Sequence, residues 1–117
     1  MLLLARETAV PAEKTVRFTA RVRNIDYFDN YSGKIIVVDG IESSFALTLE
    51  VLAVHSDSAD FTRRQTVSFA IHSPTQVFGF IECGSKHVIG KIFDFSIDRT
   101  QKDGRTHYSS LLASYRK

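Results

Sequence analysis

From Thr15 to Arg23 the chain reads T-V-R-F-T-A-R-V-R, an unbroken alternation of apolar and polar residues. Val16, Phe18, Ala20 and Val22 fall on one side; Thr15, Arg17, Thr19, Arg21 and Arg23 fall on the other. Successive side chains of an extended strand point to opposite faces, so this segment reads as a half-buried antiparallel strand with a basic outer stripe. The same two-residue period returns further on. Phe45, Leu47, Leu49, Val51 and Ala53 form an inward set. So do Val67, Phe69 and Ile71, and then Phe93, Phe95 and Ile97, with Asp94, Ser96 and Asp98 facing out. No segment holds apolar residues at helical spacing for three turns. A chain patterned this way closes its core with sheets.

The segments between these runs carry turn signals. They include Asn30-Tyr31-Ser32-Gly33, Asp39-Gly40, Cys83-Gly84-Ser85 and Lys102-Asp103-Gly104-Arg105, the last an Asp-Gly hairpin turn. Lys34 to Val38 is a continuous β-branched run, read as a strand covered on both faces. Ser73-Pro74-Thr75 breaks the chain, and Gln76 to Glu82 fits neither period clearly. Thr106 to Tyr115 fits both a strand and a helical face; the Asp-Gly turn before it favours a strand. Six or so short strands without an obvious helix predict an all-β fold, a small antiparallel five- to six-stranded barrel. At 117 residues, with 44% hydrophobic and 24% charged side chains, the chain makes one ordinary globular domain, placed at residues 15–117 behind a loose arm, 1–14.

The order of parts resembles an OB-type barrel, and in particular its netrin-like variant, the module of the tissue inhibitors of metalloproteinases. The resemblance rests on the strand Phe18-Thr19-Ala20-Arg21-Val22, the F-x-L-x-L-E-V run from Phe45 to Val51 and the V-x-F-x-I run from Val67 to Ile71. It ends on Cys83-Gly84 followed by Val88-Ile89-Gly90-Lys91-Ile92-Phe93-Asp94-Phe95. The resemblance implies the barrel. Netrin-like inhibitors use an N-terminal Cys and several disulfides; this chain has one Cys, so their inhibitory chemistry does not transfer.

Charge and reactive residues then narrow the function. The net charge of +2 does not by itself call for nucleic acid, but it is unevenly spread. Residues 1–60 hold six basic and nine acidic side chains, a balance of −3; residues 61–117 hold nine and four, a balance of +5. The lone Cys83 permits no intrachain disulfide. The apolar opening Met1–Ala5 is cut by Arg6-Glu7, too short for a signal core or a membrane span, so the cytoplasm is the default expectation. His55, Asp57 and Asp60, or Cys83 with His87, lack the four tightly paired ligands of a structural zinc site. Cys83 with a nearby His has the residue types of a nucleophilic pair, but a single packed thiol is the simpler account. Asp94 and Asp98 are about 13 Å apart along a strand, too far for paired-carboxylate hydrolysis at about 5–10 Å, and read as solvated. No glycine-rich phosphate loop is present. We therefore expect no enzyme, no metal and no cofactor.

What remains is binding. Arg21 and Arg23 lead into a segment holding Tyr27, Phe28, Tyr31 and Lys34, and these six residues are the expected binding site. Tyr and Arg dominate interface energetics, which favours a protein partner or self-association. Basic residues interleaved with aromatics also suit single-stranded nucleic acid, the alternative, although Asp26, Asp29 and Asp39 oppose a polyanion there. A second candidate surface is the apolar segment Val77, Phe78, Phe80 and Ile81, to be read either as a partner patch or as a plug under the barrel.

Overall fold

The computed structural model describes residues 12–40, 43–55, 61–79 and 87–115. Six strands, β1 (Ala12–Tyr27), β2 (Ile36–Val37), β3 (Phe45–Val54), β4 (Thr66–Ile71), β5 (Ile92–Lys102) and β6 (Arg105–Tyr115), form one curled sheet in the order β2-β4-β3-β1-β5-β6. Leaving β2 aside, β1, β3 and β4 are successive antiparallel neighbours, and β5 returns to the far side of β1. That is the Greek-key order. The sheet is a half-barrel, and a parallel bridge between Val38 and Tyr108 links its two edges.

The period-two alternation places the core. Val16, Phe18, Ala20, Val22, Leu47, Leu49 and Val51 are buried on the concave side, and Phe69, Phe95 and Ile97 meet them there. Phe18 lies at the centre, with its ring centroid 5.0 Å from Phe61, 5.4 Å from Phe95 and 6.4 Å from Phe69. The β1–β3 register shifts twice: Leu52 is the extra residue on β3, between the Thr19–Ala53 and Ala20–Val51 pairs, and Arg23 is the extra residue on β1, between Val22 and Asn24. Bulges of this kind raise local twist, and here they curl the sheet round its core. The first shift also corrects the inward set of β3, since Val54 rather than Ala53 stands opposite Phe18 and packs against the core. The final run is a strand, joined to β5 through Asp103 (φ 54°) and Gly104 (φ 75°). Two consecutive positive φ values define the tight turn that an Asp-Gly pair favours.

Three further expectations are corrected. The Lys34 to Val38 run is not a doubly covered strand. Only Ile36 and Val37 pair, in parallel with Phe69 and Ala70, and Val37 is half exposed, because β2 is an edge with one neighbour. Those parallel contacts make the sheet mixed rather than wholly antiparallel. The segment after Ser73 contains a helix, α1 (Pro74–Phe78). Ser73 caps it by accepting the Thr75 N–H at 3.2 Å, and proline suits a first turn whose N–H groups have no helical partner. Val77 and Phe78 are buried, and the Phe78 ring packs 5.1 Å from Phe93 and 6.1 Å from Phe95. Val77 and Phe78 therefore act as a plug. Phe80, Ile81 and Cys83 lie outside the described residues, as do Asp57, Asp60 and residues 1–11 of the expected arm.

Candidate functional site

The face of the sheet away from the core is built in rows by the strand registers. Arg21, Glu50 and Thr66 are Cα partners across β1, β3 and β4; the next row is Asn24, Thr48 and Ser68, and the next Asp26, Ala46 and Ala70. Thr48 Oγ1 and Ser68 Oγ are 2.9 Å apart, so the two hydroxyls are hydrogen-bonded. Ala46, Ser68 and Ala70 are buried although they alternate with the core-directed residues, which shows that this part of the outer face is covered.

The connection from β1 to β3 borders that region. It leaves β1 through a 3-10 turn, Phe28–Asn30, in which Asp26 accepts the Tyr27 N–H at 2.8 Å and Phe28 N–H donates to the Ser44 carbonyl at 2.9 Å. Tyr31 then folds back, its hydroxyl donating to the Lys34 carbonyl at 3.1 Å. Gly33 sits inside this fold at φ 129°, and a Cβ there would lie 3.3 Å from the Tyr31 hydroxyl. Tyr31, Lys34, Ile35 and Ile36 form one wall of a groove of about 560 Å³; Thr48, Gln65, Thr66, Val67 and Ser68 form the other. Gln65 Oε1 accepts the Thr62 N–H at 2.9 Å. The groove thus offers an aromatic ring, an ammonium group, hydroxyls that can donate or accept, and a floor of small side chains.

The six expected site residues divide. Tyr31 and Lys34 share the groove. Tyr27 is 64% exposed and stacks on Phe45, with centroids 5.6 Å apart and planes at 26°. One ring face is supported by protein and the rest is open to solvent. Phe28 is half-buried at the turn. Arg23 reaches Glu50, with Nη1 3.5 Å from Oε1. Arg21, although Glu50 is its register partner, turns the other way and donates to the Gly90 carbonyl at 3.4 Å. The basic stripe is therefore not a continuous cationic surface. Asp39, read as an opposing charge, instead accepts the Ser110 N–H at 3.0 Å.

One group of site residues was missed. Thr48, Gln65, Thr66 and Ser68 carry no chemical signature in sequence, and only strand pairing brings them beside Tyr31. The β5–β6 turn presents Lys102 and Arg105, both exposed, as register partners beside Asp103-Gly104, at the Ala12 end of β1 rather than at the groove.

Thr19 corrects another expectation. Read as solvent-facing, it is 1% exposed and donates its hydroxyl to Asp94 Oδ1 at 2.6 Å. His55 Nε2 lies 2.6 Å from Thr19 Oγ1. A carboxylate only accepts, so the Thr19 proton points to Asp94 and His55 Nε2 must be the donor. This chain of bonds does not activate Thr19, whose proton is directed away from the imidazole that would have to remove it. Asp98 likewise accepts from Thr15 at 2.8 Å, on the exposed side of the ladder, so both carboxylates hold threonines of β1.

Among the described residues no helix is long and apolar enough to cross a membrane. No family model matches the chain, and neither does any curated protein or solved structure.

Proposed function

We propose that the chain is a non-catalytic binding module with an OB-like barrel, and that its groove receives single-stranded nucleic acid. The carrying observation is one arrangement: Tyr31 and Lys34, from the connection after β1, share a groove with Thr48, Thr66 and Ser68 of two adjacent strands. OB barrels are five-stranded, partly open Greek keys that bind oligonucleotides on their second and third strands, between the loops after the first and fourth. Leaving β2 aside, β3 and β4 are the second and third strands. The loop after the first carries Tyr31 and Lys34, and the loop after the fourth, between Lys102 and Arg105, stands at the Ala12 end of β1. Single-strand binding needs aromatic faces for stacking and cations along the path, and Tyr27 supplies an exposed ring already braced by Phe45.

The second reading, a protein partner or self-association, has its own observation. Val37 is 49% exposed and Leu112 52%, and these two large apolar side chains lie on the strands that the Val38–Tyr108 bridge joins. Val77 and Phe78 do not add to that surface, since both are buried.

Titrating a fluorescein-labelled oligothymidylate at several salt concentrations, read by anisotropy, tests the choice. Binding should weaken linearly in log–log form, with a slope near −0.7 for each phosphate contacted. Tyr27→Leu should weaken it roughly tenfold, because the lost stacking is worth about 1–3 kcal/mol per base. A protein that ignores the oligonucleotide at low salt and sediments as a dimer would select the second reading.

A further inference from the structure

We propose that Glu50 is a built-in competitor for the phosphate of the bound strand, holding Arg23 in reserve and thereby setting the affinity and salt dependence of the groove. This rests on the single-strand reading above. Glu50 stands in the ladder beside Thr66, a groove residue, and its carboxylate lies 3.5 Å from the Arg23 guanidinium. A guanidinium fork pairs with a carboxylate as it does with a phosphate, so ligand and Glu50 compete for the same donors. The two side chains are 58% and 32% exposed, which keeps the pair weak and exchangeable.

The pair is also not what holds the sheet together at this point. Leu49 and Val51, on either side of Glu50, are fully buried on the core face. Arg23 sits at a register shift in β1, between Val22 and Asn24, which frees its side chain from strict alternation. Arg21, the direct partner of Glu50 in the ladder, is engaged at Gly90 instead. The carboxylate therefore restrains the arginine that the bulge releases from the ladder. A strand entering the groove exchanges Glu50 for a phosphate at Arg23, and the released carboxylate gathers a cation from solution. The counterion gain expected of one phosphate contact is cancelled by that uptake.

The test is a double-mutant cycle with labelled oligothymidylate: wild type, Glu50→Gln, Arg23→Ala and the double variant, each titrated across a range of salt and checked by urea melting. Glu50→Gln should tighten binding by about two- to fivefold at low salt and steepen the salt slope by about 0.7, the share of one phosphate. In the Arg23→Ala background the same change should do neither. Glu50→Thr, suited to an outward strand position, replaces Glu50→Gln should the latter misfold. Equal tightening with and without Arg23 would mean general relief of negative charge and would overturn the competition. Wild-type binding that Glu50→Gln leaves unaltered overturns it too, with the single-strand reading intact. No binding by any of the four proteins removes the reading and the inference together.

Discussion

Asp39 accepts the backbone N–H of Ser110 at 3.0 Å, joining residues 71 positions apart at the seam of the half-barrel. Both residues are left-handed, at φ 67° and 56°. The β5–β6 register slips between Ser96 and Asp98, whose partners are Leu112 and Ser109, so Ser110 and Leu111 form a bulge. The bulge turns the Ser110 N–H out of the β5 ladder, and the carboxylate receives it. Asp39 N–H donates in turn to the Tyr108 carbonyl at 2.8 Å. A groove of about 520 Å³ and another of about 310 Å³ share Asp39 as a lining residue, so this contact borders both and joins the Val38–Tyr108 bridge in closing the seam.

Asp39→Ala should therefore loosen the seam. The loss combines one hydrogen bond to a charged group with the cost of a left-handed alanine, about 2–4 kcal/mol together. Asp39→Asn retains an acceptor oxygen and tolerates the left-handed conformation, so it should cost under about 1 kcal/mol. Amide exchange at Ser110, followed by NMR, should quicken in the alanine variant and stay protected in the asparagine one.

Phe95→Ala should destabilise the fold by about 3–5 kcal/mol, since its ring fills the space between Phe18 and Phe78. Asp94→Ala, one position away on the opposite face, should cost about 1.5–3 kcal/mol, because the carboxylate takes the proton of the buried Thr19 hydroxyl. Urea melts read both. A loss under about 0.5 kcal/mol at Asp94, the figure for an ordinary solvated side chain, would contradict the Thr19 bond.

Ser73→Ala should cost about 1 kcal/mol through the lost cap of α1. The helix holds Val77 and Phe78 in the core, so the loss should lower the thermal midpoint rather than fray a surface element. Ser73→Asp, which keeps a capping oxygen, should restore the midpoint in a calorimeter.

Gly33→Ala tests the wall of the groove. The new Cβ would stand 3.3 Å from the Tyr31 hydroxyl at a φ of 129°, so the Tyr31–Lys34 bond must shift. Oligonucleotide affinity should fall several-fold while the urea midpoint changes little, since the segment is an exposed turn. Unchanged affinity would detach Tyr31 from the site.

Reversing charge at the tip of the β5–β6 hairpin, with Lys102→Glu and Arg105→Glu, should leave oligonucleotide binding and its salt slope close to the wild type's, because this turn lies at the Ala12 end of β1 and not at the groove. Both residues are exposed, and the double variant should melt as the wild type does. A salt slope flattened by roughly one phosphate contact for each residue would extend the path to the hairpin.

Alternation along Thr15–Arg23, Phe45–Val51, Val67–Ile71 and Phe93–Ile97 was enough to determine the strands, their inward faces and the class of fold, because side-chain direction in a strand follows from backbone geometry alone. The Asp103-Gly104 turn was legible for the same local reason. Tertiary structure decided the rest. That Thr19 is buried, that Asp39 closes a seam and that Arg23 meets Glu50 all depend on which strands lie side by side and on where the bulges of the β1–β3 and β5–β6 pairs fall. Tyr31 and Lys34 could be picked out as candidates from their types, but Thr48, Thr66 and Ser68 join them only through the register of β3 with β4. A one-residue slip in that register would send every one of those hydroxyls to the other face. Local sequence fixes a strand's period, whereas its neighbours and register come from burying one shared core.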